Sequence, residues 1–212
     1  SEVRKMGLIK KYFSNTRKPD GILGKMMVSG MNKAHAGVSD WGIRHLSSIQ
    51  PQTIIELGCG GGRNAAQLLN NFPKATLTAL DYSEVSVEKT KQVNRREIQH
   101  KRCQVLQGDV ATLPFSENSF DLATAFETVY FWPGPTESFR EVCRVLKPNG
   151  LFLIVNESDG TNRSDEKWLD VIEGLQIFDK AQLSNFLKDA GFSKIIVDHD
   201  ETKHRLCIMA MK

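Results

Sequence analysis

The chain has 212 residues, 40% hydrophobic and 25% charged, with a net charge of +3. That length suits one well-buried domain and is short for two, and the composition is that of an ordinary globular protein. Lysines and arginines are scattered apart from short clusters such as Arg95-Arg96, so the basic face of a nucleic-acid binder is missing.

No apolar run approaches membrane-spanning length, and Ser1-Glu2-Val3-Arg4 shows no hydrophobic signal core. Cys59, Cys103, Cys143 and Cys207 lack Cys-x-x-Cys spacing, and the five histidines form no metal-ligand pattern in the sequence. The expectation is a cytoplasmic protein, monomer or homodimer, with neither a metal nor a nucleic-acid or membrane partner.

Residues 1 to 50 read as helical. Val3–Phe13 mixes apolar and basic residues, and Asn15–Gly21 breaks the pattern with Pro19 and Gly21. Ile22–His35 carries Ile22, Leu23, Met26, Met27 and Met31 on roughly one helical face, which suits either core packing or an apolar cavity wall. Ser39 is a suitable N-cap for a helix through Trp41, Ile43 and Leu46. Thr53-Ile54-Ile55 then starts a strand that runs into the turn Gly58-Cys59-Gly60-Gly61-Gly62, and Asn64–Leu69 begins a helix. A strand, a glycine turn and a helix in that order present a nucleotide site in an open α/β sheet. The dinucleotide fingerprint Gly-x-Gly-x-x-Gly, counted from Gly58, requires glycine where Arg63 stands.

Ala75–Leu80 is a second strand ending at Asp81, about twenty residues past the glycines, where a carboxylate suits a ribose diol. Tyr82 can lay its ring on a base, and Ser83 can cap a helix running to about His100. Cys103–Gln107 is a third strand, followed by Gly108-Asp109-Val110. Phe120–Phe126 is a fourth, with Glu127–Pro133 at its carboxyl end, where open sheets place their chemistry. The next helix shows the stripe Phe139, Val142, Cys143 and Leu146 and stops at Lys147-Pro148-Asn149-Gly150, and Leu151–Val155 is a fifth strand. Glu157–Phe178 reads as an insertion beside the substrate site, amphipathic around Trp168, Leu169 and Ile172. Asp179 and Gln182 form a capping box for a helix striped by Leu183, Phe186, Leu187 and Ala190 and stopped by Gly191. The short link between Lys194–Val197 and Leu206–Met211 demands antiparallel pairing.

Glu56-x-Gly58-x-Gly60-x-Gly62, Asp81, Gly108-Asp109 and the run Arg144–Leu151 together resemble the class I S-adenosylmethionine (SAM) dependent methyltransferases, over about Thr53 to Met211. The resemblance implies an α/β, Rossmann-like sheet of seven mostly parallel strands with an antiparallel last strand and helices on both faces. An N-terminal helical cap over residues 1–50 would pack on a SAM-binding domain over residues 51–212. It further implies that Glu56, Gly58, Cys59, Gly60 and Gly62 wrap the methionine tail and ribose. Asp81 would take the ribose diol and Tyr82 the adenine face, while Asp109 and the Val110 amide read the adenine edge. Phe126 and Glu127 would complete the cofactor site. Met31-Asn32 with Ser39-Asp40-Trp41 is similar to the segment preceding this motif in quinone-biosynthesis C-methyltransferases.

The sulfonium of SAM already activates its methyl group, so the protein mainly holds a nucleophile in line in a dry site, and a general base is optional. Accordingly no fixed catalytic motif is present. Glu127 and Tyr130 are the candidates to face the transferred methyl; Glu127 also suits a contact to the cofactor or a turn cap. Tyr130, Phe131 and Trp132 suit a pocket wall or packing against the cap. Tyr12, Asn32, His35 and Trp41 are weaker candidates, His35 being read as a surface histidine. Arg63 suits either the cofactor's carboxylate or a solvent-facing first turn. The slot Phe126-Glu127-Thr128-Val129 lacks the Asn/Asp-Pro-Pro-aromatic run of base-amine methyltransferases, and Glu127 lacks the paired glutamate of the protein-arginine class. What remains is a small-molecule acceptor with an apolar or aromatic body, and S-adenosylhomocysteine as product. A non-catalytic SAM-binding module is the alternative; a nicotinamide-dependent dehydrogenase is disfavoured by Arg63 and by the last strand pair.

Overall fold

The computed structural model describes residues 35–212; the expected helix over Val3–Phe13 and, but for His35, that over Ile22–His35, with Tyr12, Asn32 and the methionine face, lie outside the described residues. Seven strands form one sheet: β1 (Thr53–Leu57), β2 (Thr76–Asp81), β3 (Cys103–Gln107), β4 (Phe120–Phe126), β5 (Leu146–Asn156), β6 (Lys194–Asp200) and β7 (Arg205–Met211), in the order β3-β2-β1-β4-β5-β7-β6. The first five run parallel, and β7 lies antiparallel to both β5 and β6. This is the expected sheet. Strand order reverses between β1 and β4, and a crevice opens there at the carboxyl ends of open α/β sheets.

Helices cover both faces: α1 (Ala36–Arg44), α2 (Arg63–Asn71), α3 (Glu84–Val93), α4 (Arg95–Gln99), α5 (Pro135–Val145), α6 (Glu166–Val171) and α7 (Lys180–Asp189). Successive strand residues point to opposite faces. Ile54, Leu122 and Leu153 therefore join one core with α1, α2 and α3, while Ile55, Ala123 and Ile154 join the other with α5 and α7. Strands buried on both faces read as near-continuous apolar runs, which is how β1 and β4 look in the sequence. Among the described residues no helix is long and apolar enough to cross a membrane.

The expected capping box stands at the start of α7, with the Asp179 carboxylate accepting from Ala181 and Gln182 amides. Ser83 Oγ accepts from the Ser86 amide and starts α3. Other expectations need correction. Ser39 is not an N-cap: it lies inside α1, buried, with its amide donating to the His35 carbonyl at 3.0 Å. The helix starts earlier because it docks on the sheet through Gly42, where an added Cβ would stand 2.3 Å from Val155 Cγ2. The helix after Ser83 divides at Asn94, whose side-chain amide donates to the carbonyls of Gly62 and Thr90. β5 begins at Leu146 rather than Leu151: Leu146 pairs with Phe120, and the register then shifts so that Leu151 pairs with Leu122. Asn149 absorbs the irregularity in a left-handed conformation, φ 64°.

Asp121 staples the opposite end of the sheet. Its carboxylate accepts from the Gln52 and Thr53 amides, the Thr53 hydroxyl and the Lys147 ammonium, at 2.8–2.9 Å. Burial opposes its ionisation, but Lys147 and these donors outweigh it and hold the group below its ordinary value. A depressed carboxylate contributes stability above its unfolded pKa and loses it as pH falls through the folded value. Asp121→Asn is therefore expected to cost about 1–3 kcal/mol near neutrality. The difference from wild type should vanish in acid, as read from urea unfolding at the two pH values.

Candidate active site

At the carboxyl ends of β1 and β4 lies a cavity of about 190 Å³. Gly58, Cys59, Gly60, Asp81, Tyr82, Asp109, Val110, Phe126 and Glu127 all line it. Glu56, Gly62 and Tyr130 do not; they stand behind it and shape it. Ser39, Asn64, Ser86, Thr128 and Pro133 also line it, and the sequence marks none of them as a site residue. They come from four separate elements and carry no local pattern.

The glycine turn is built by left-handed residues, with φ of 77° at Gly58, 51° at Gly60 and 77° at Gly62. Amides of Gly58 and Cys59 donate to the Leu80 carbonyl at 2.8 and 3.1 Å, bolting the turn to β2. Two of the glycines answer to packing. A Cβ at Gly58 would lie 2.2 Å from Thr128 Oγ1, and one at Gly62 would lie 2.7 Å from Thr90 Cα. Gly60 differs: a Cβ there would meet nothing within 4 Å. Its absence leaves the turn open to a ligand that approaches the backbone.

Asp81 is 6% exposed and accepts from the Gly60 amide on one carboxylate oxygen and the Ser83 amide on the other, both at 2.9 Å. Burial raises its pKa, and amides of Ser83, Gly60 and Tyr82 pull it back. With three amides on about four acceptor sites, the carboxylate retains capacity for a further donor such as a ribose hydroxyl. Beneath the turn, Glu56 is almost fully buried, and its Oε2 has no hydrogen-bond partner. Burial and then the neighbouring Asp81 push its pKa well up. Burial likewise raises the Cys59 thiol, which accepts from the Thr90 hydroxyl at 3.3 Å and is no nucleophile. Asp109 is exposed and accepts from the Ala111 amide at 2.9 Å, which leaves its second oxygen for an outside donor.

Beyond Phe126 the chain takes φ 56° at Glu127, rare for a non-glycine residue, while the Glu127 amide donates to the Val155 carbonyl. The Glu127 carboxylate accepts from the Glu157 amide through a short contact and from the Tyr130 hydroxyl. Tyr130 in turn accepts from the Ser158 amide at 2.9 Å, and its carbonyl accepts from the Gln176 amide at 2.9 Å. The Glu157–Phe178 segment therefore folds back against this end of the cavity. Burial, partly offset by His35 and compounded by Glu157, pushes the Glu127 carboxyl up to about 8.

The structure draws in one residue that its sequence context left at the surface. His35 lines the cavity, with Nδ1 2.8 Å from Glu157 Oε2 and 3.8 Å from Glu127 Oε2. The three side chains bring one polar atom each within 4.8 Å of one another, a spacing that lets them share a proton or a cation. A separation of 122 residues between His35 and Glu157 hides this cluster from any reading of local spacing. Arg63 does not line the cavity: its Nη2 donates to both carboxylate oxygens of the partly exposed Asp40 at 2.9 Å, tying α2 to α1. Trp41 is core, with the Arg205 guanidinium 4.2 Å over its ring. Phe131 and Trp132 do wall the cavity, and Trp132 also stacks on Phe152 in the core.

A carboxyl with a raised folded pKa loses stability as pH rises between its unfolded and folded values, since only the unfolded form then ionises freely. For Glu127 that window runs from 4.5 to about 8. Glu127→Gln is expected to gain stability over wild type across this window. The difference should grow with a slope of at most about 1.4 kcal/mol per pH unit, measured by urea unfolding at a series of pH values.

Residues 55–154 match the family model of a methyltransferase domain. Cycloartenol-C-24-methyltransferase 1 of Oryza sativa subsp. japonica is 31% identical over 156 residues, which is 69% of this chain and 45% of that protein. The uncharacterized methyltransferase YdaC of Bacillus subtilis is 24% identical over 87% of this chain and 96% of its own. The chain spans less than half the length of the sterol methyltransferases it matches. Among solved structures, phosphoethanolamine N-methyltransferase 2 of Haemonchus contortus, in complex with SAM, superposes with a TM-score of 0.71 at 15% identity, covering 83% of this chain and 52% of that one. A SAM-dependent methyltransferase from Aquifex aeolicus gives 0.69 at 17%, covering 87% and 97%. At such identities these two similarities speak for the fold.

Proposed function

We propose, for a chain that belongs to the class I SAM-dependent methyltransferases, that its cavity binds SAM and directs methyl transfer to a small-molecule acceptor. The observation that carries this reading is the convergence of the open Gly60 turn, the buried Asp81 carboxylate and Asp109 on one cavity at the strand-order switch. These residues fit the group. Asp81 would hold the ribose diol, the turn from Gly58 to Gly62 the methionine tail, Tyr82 the adenine face, and Asp109 with the Val110 amide the adenine edge. Phe126 and Glu127 close the site at the carboxyl end of β4. When bound, SAM supplies a methyl group already activated by its sulfonium.

The protein's share is orientation and exclusion of water. Phe131 and Trp132 offer the acceptor an apolar wall, which suits an apolar or aromatic body. The N-terminal segment, of which α1 packs across β5 beside the cavity, would act as its cap.

Calorimetric titration with SAM, S-adenosylhomocysteine and NADH tests the reading. Saturable binding of the first two and none of the third is expected; binding of NADH alone would overturn it.

A further inference from the structure

The geometry points to His35 as the general base of the transfer and Glu157 as the carboxylate that positions it, acting on an acceptor whose attacking atom must lose a proton. This rests on the SAM-binding reading above and deepens it.

His35 immediately precedes α1 and lines the cavity, while Glu157, just past β5, does not. The 2.8 Å contact from Nδ1 to Glu157 Oε2 holds the proton on Nδ1 and leaves the Nε2 edge of the neutral ring with the basic lone pair. Carboxylate, imidazole and reacting atom in that order is the arrangement that orients a histidine base. Glu157 is itself held: its amide donates to the Glu127 carboxylate, which also accepts from Tyr130. Glu127 thereby anchors the scaffold, and its Oε2 stands 3.8 Å from His35 Nδ1. The base role is assigned to His35, whose ring is oriented by Glu157.

The groups facing His35 from the packed elements are Glu127 after β4 and Glu157 after β5, with Tyr130 behind Glu127. The hydrogen bond to Glu157 raises the ring's pKa, burial lowers it, and the charges of Glu127 and then Glu157 raise it further. Among the described residues no lysine or arginine lines the cavity. Among the described residues an anionic acceptor would meet the carboxylates of Glu127 and Glu157 with no lysine or arginine beside them, so the chemistry there suits an uncharged hydroxyl or an amine. The acceptor's oxygen or nitrogen lone pair forms the bond to the methyl carbon. As the carbon–sulfur bond breaks, its electron pair stays on sulfur, which becomes a neutral thioether. The acceptor's proton passes to Nε2, and the imidazolium, offset by Glu157, returns that proton to water. A thioether or tertiary amine acceptor would have no use for this base.

The test uses the full chain saturated with S-adenosylhomocysteine. Binding of that ligand is checked first by calorimetry, so a failure of the cofactor reading shows at that step and not in the histidine titration or the transfer rates. Nitrogen-detected titration of the His35 ring should place its ionisation above 6.5 in wild type. In Glu157→Gln it should fall, because the hydrogen bond and charge of Glu157 that raise it are lost. With tritiated SAM and a deproteinised extract as the acceptor pool, His35→Gln should lower methyl transfer by about 10²–10⁴-fold. SAM affinity should stay within about twofold of wild type. The acid limb of the pH–rate profile should move to lower pH in Glu157→Gln. A His35 ionisation unmoved by Glu157→Gln would sink the proposal, and so would His35→Gln turning over at the wild-type rate. Saturable Mn²⁺ binding abolished by both substitutions would also overturn it, replacing a shared proton with a shared cation.

Discussion

Asp81→Ala is expected to weaken SAM binding by about 10–100-fold, the loss of hydrogen bonds to a charged acceptor worth about 1.5–3 kcal/mol. Two effects add. The diol loses its acceptor, and the Gly60 and Ser83 amides lose theirs, so the turn is released from the end of β2. Asp81→Asn should fall between the two proteins. Its amide keeps one carbonyl acceptor but turns a donor toward one of the two amides, Gly60 or Ser83, that now donate to the carboxylate. Thermal melting of each variant separates lost affinity from lost fold. An Asp81→Ala protein that melts normally and binds SAM like wild type would refute the ribose contact.

Gly62→Ala carries the largest expected loss of stability, about 3 kcal/mol out of the roughly 5–15 kcal/mol that holds a domain folded. A left-handed backbone costs an alanine about 1–2 kcal/mol. Overpacking adds about 1–3 kcal/mol, because the new methyl would stand 2.7 Å from Thr90 Cα, a backbone atom that α3 cannot easily move. The Asn94 side chain, 2.9 Å from that methyl and bonded to the Gly62 carbonyl, would be displaced too. Gly60→Ala is the informative partner. It has the left-handed φ but open space, so it should cost about 1 kcal/mol of stability and yet lose SAM, since its methyl would occupy the ligand's side of the turn. Urea midpoints and SAM titrations on the pair measure the two effects separately. Equal stability losses would mean that α2 and α3 are not packed through Gly62.

Most of the scaffold was legible because its signals are local. Cys103–Gln107 and Phe120–Phe126 form strands with the expected bounds, Asp179 and Gln182 close their capping box, and the short link before Arg205 yields an antiparallel pair. The glycine turn, Asp81 and Asp109 were legible for the same reason: each follows the carboxyl end of its strand, and a parallel sheet carries all such ends to one edge. Other features depend on how helices dock and strands slip, which no local periodicity encodes. Gly42 seating α1 on Val155 decides that Ser39 is a buried helix residue, and the shift beside Phe120 decides where β5 begins. The same docking pairs Arg63 with Asp40 and brings His35 to Glu127 and Glu157. By itself the sequence determined the fold and that part of the cavity lining whose residues stand at the carboxyl ends of successive strands. Only the tertiary structure decided the polar cluster of His35, Glu127 and Glu157, because these groups come from segments more than a hundred residues apart in the case of His35 and Glu157 and meet only when α1 lies across the sheet.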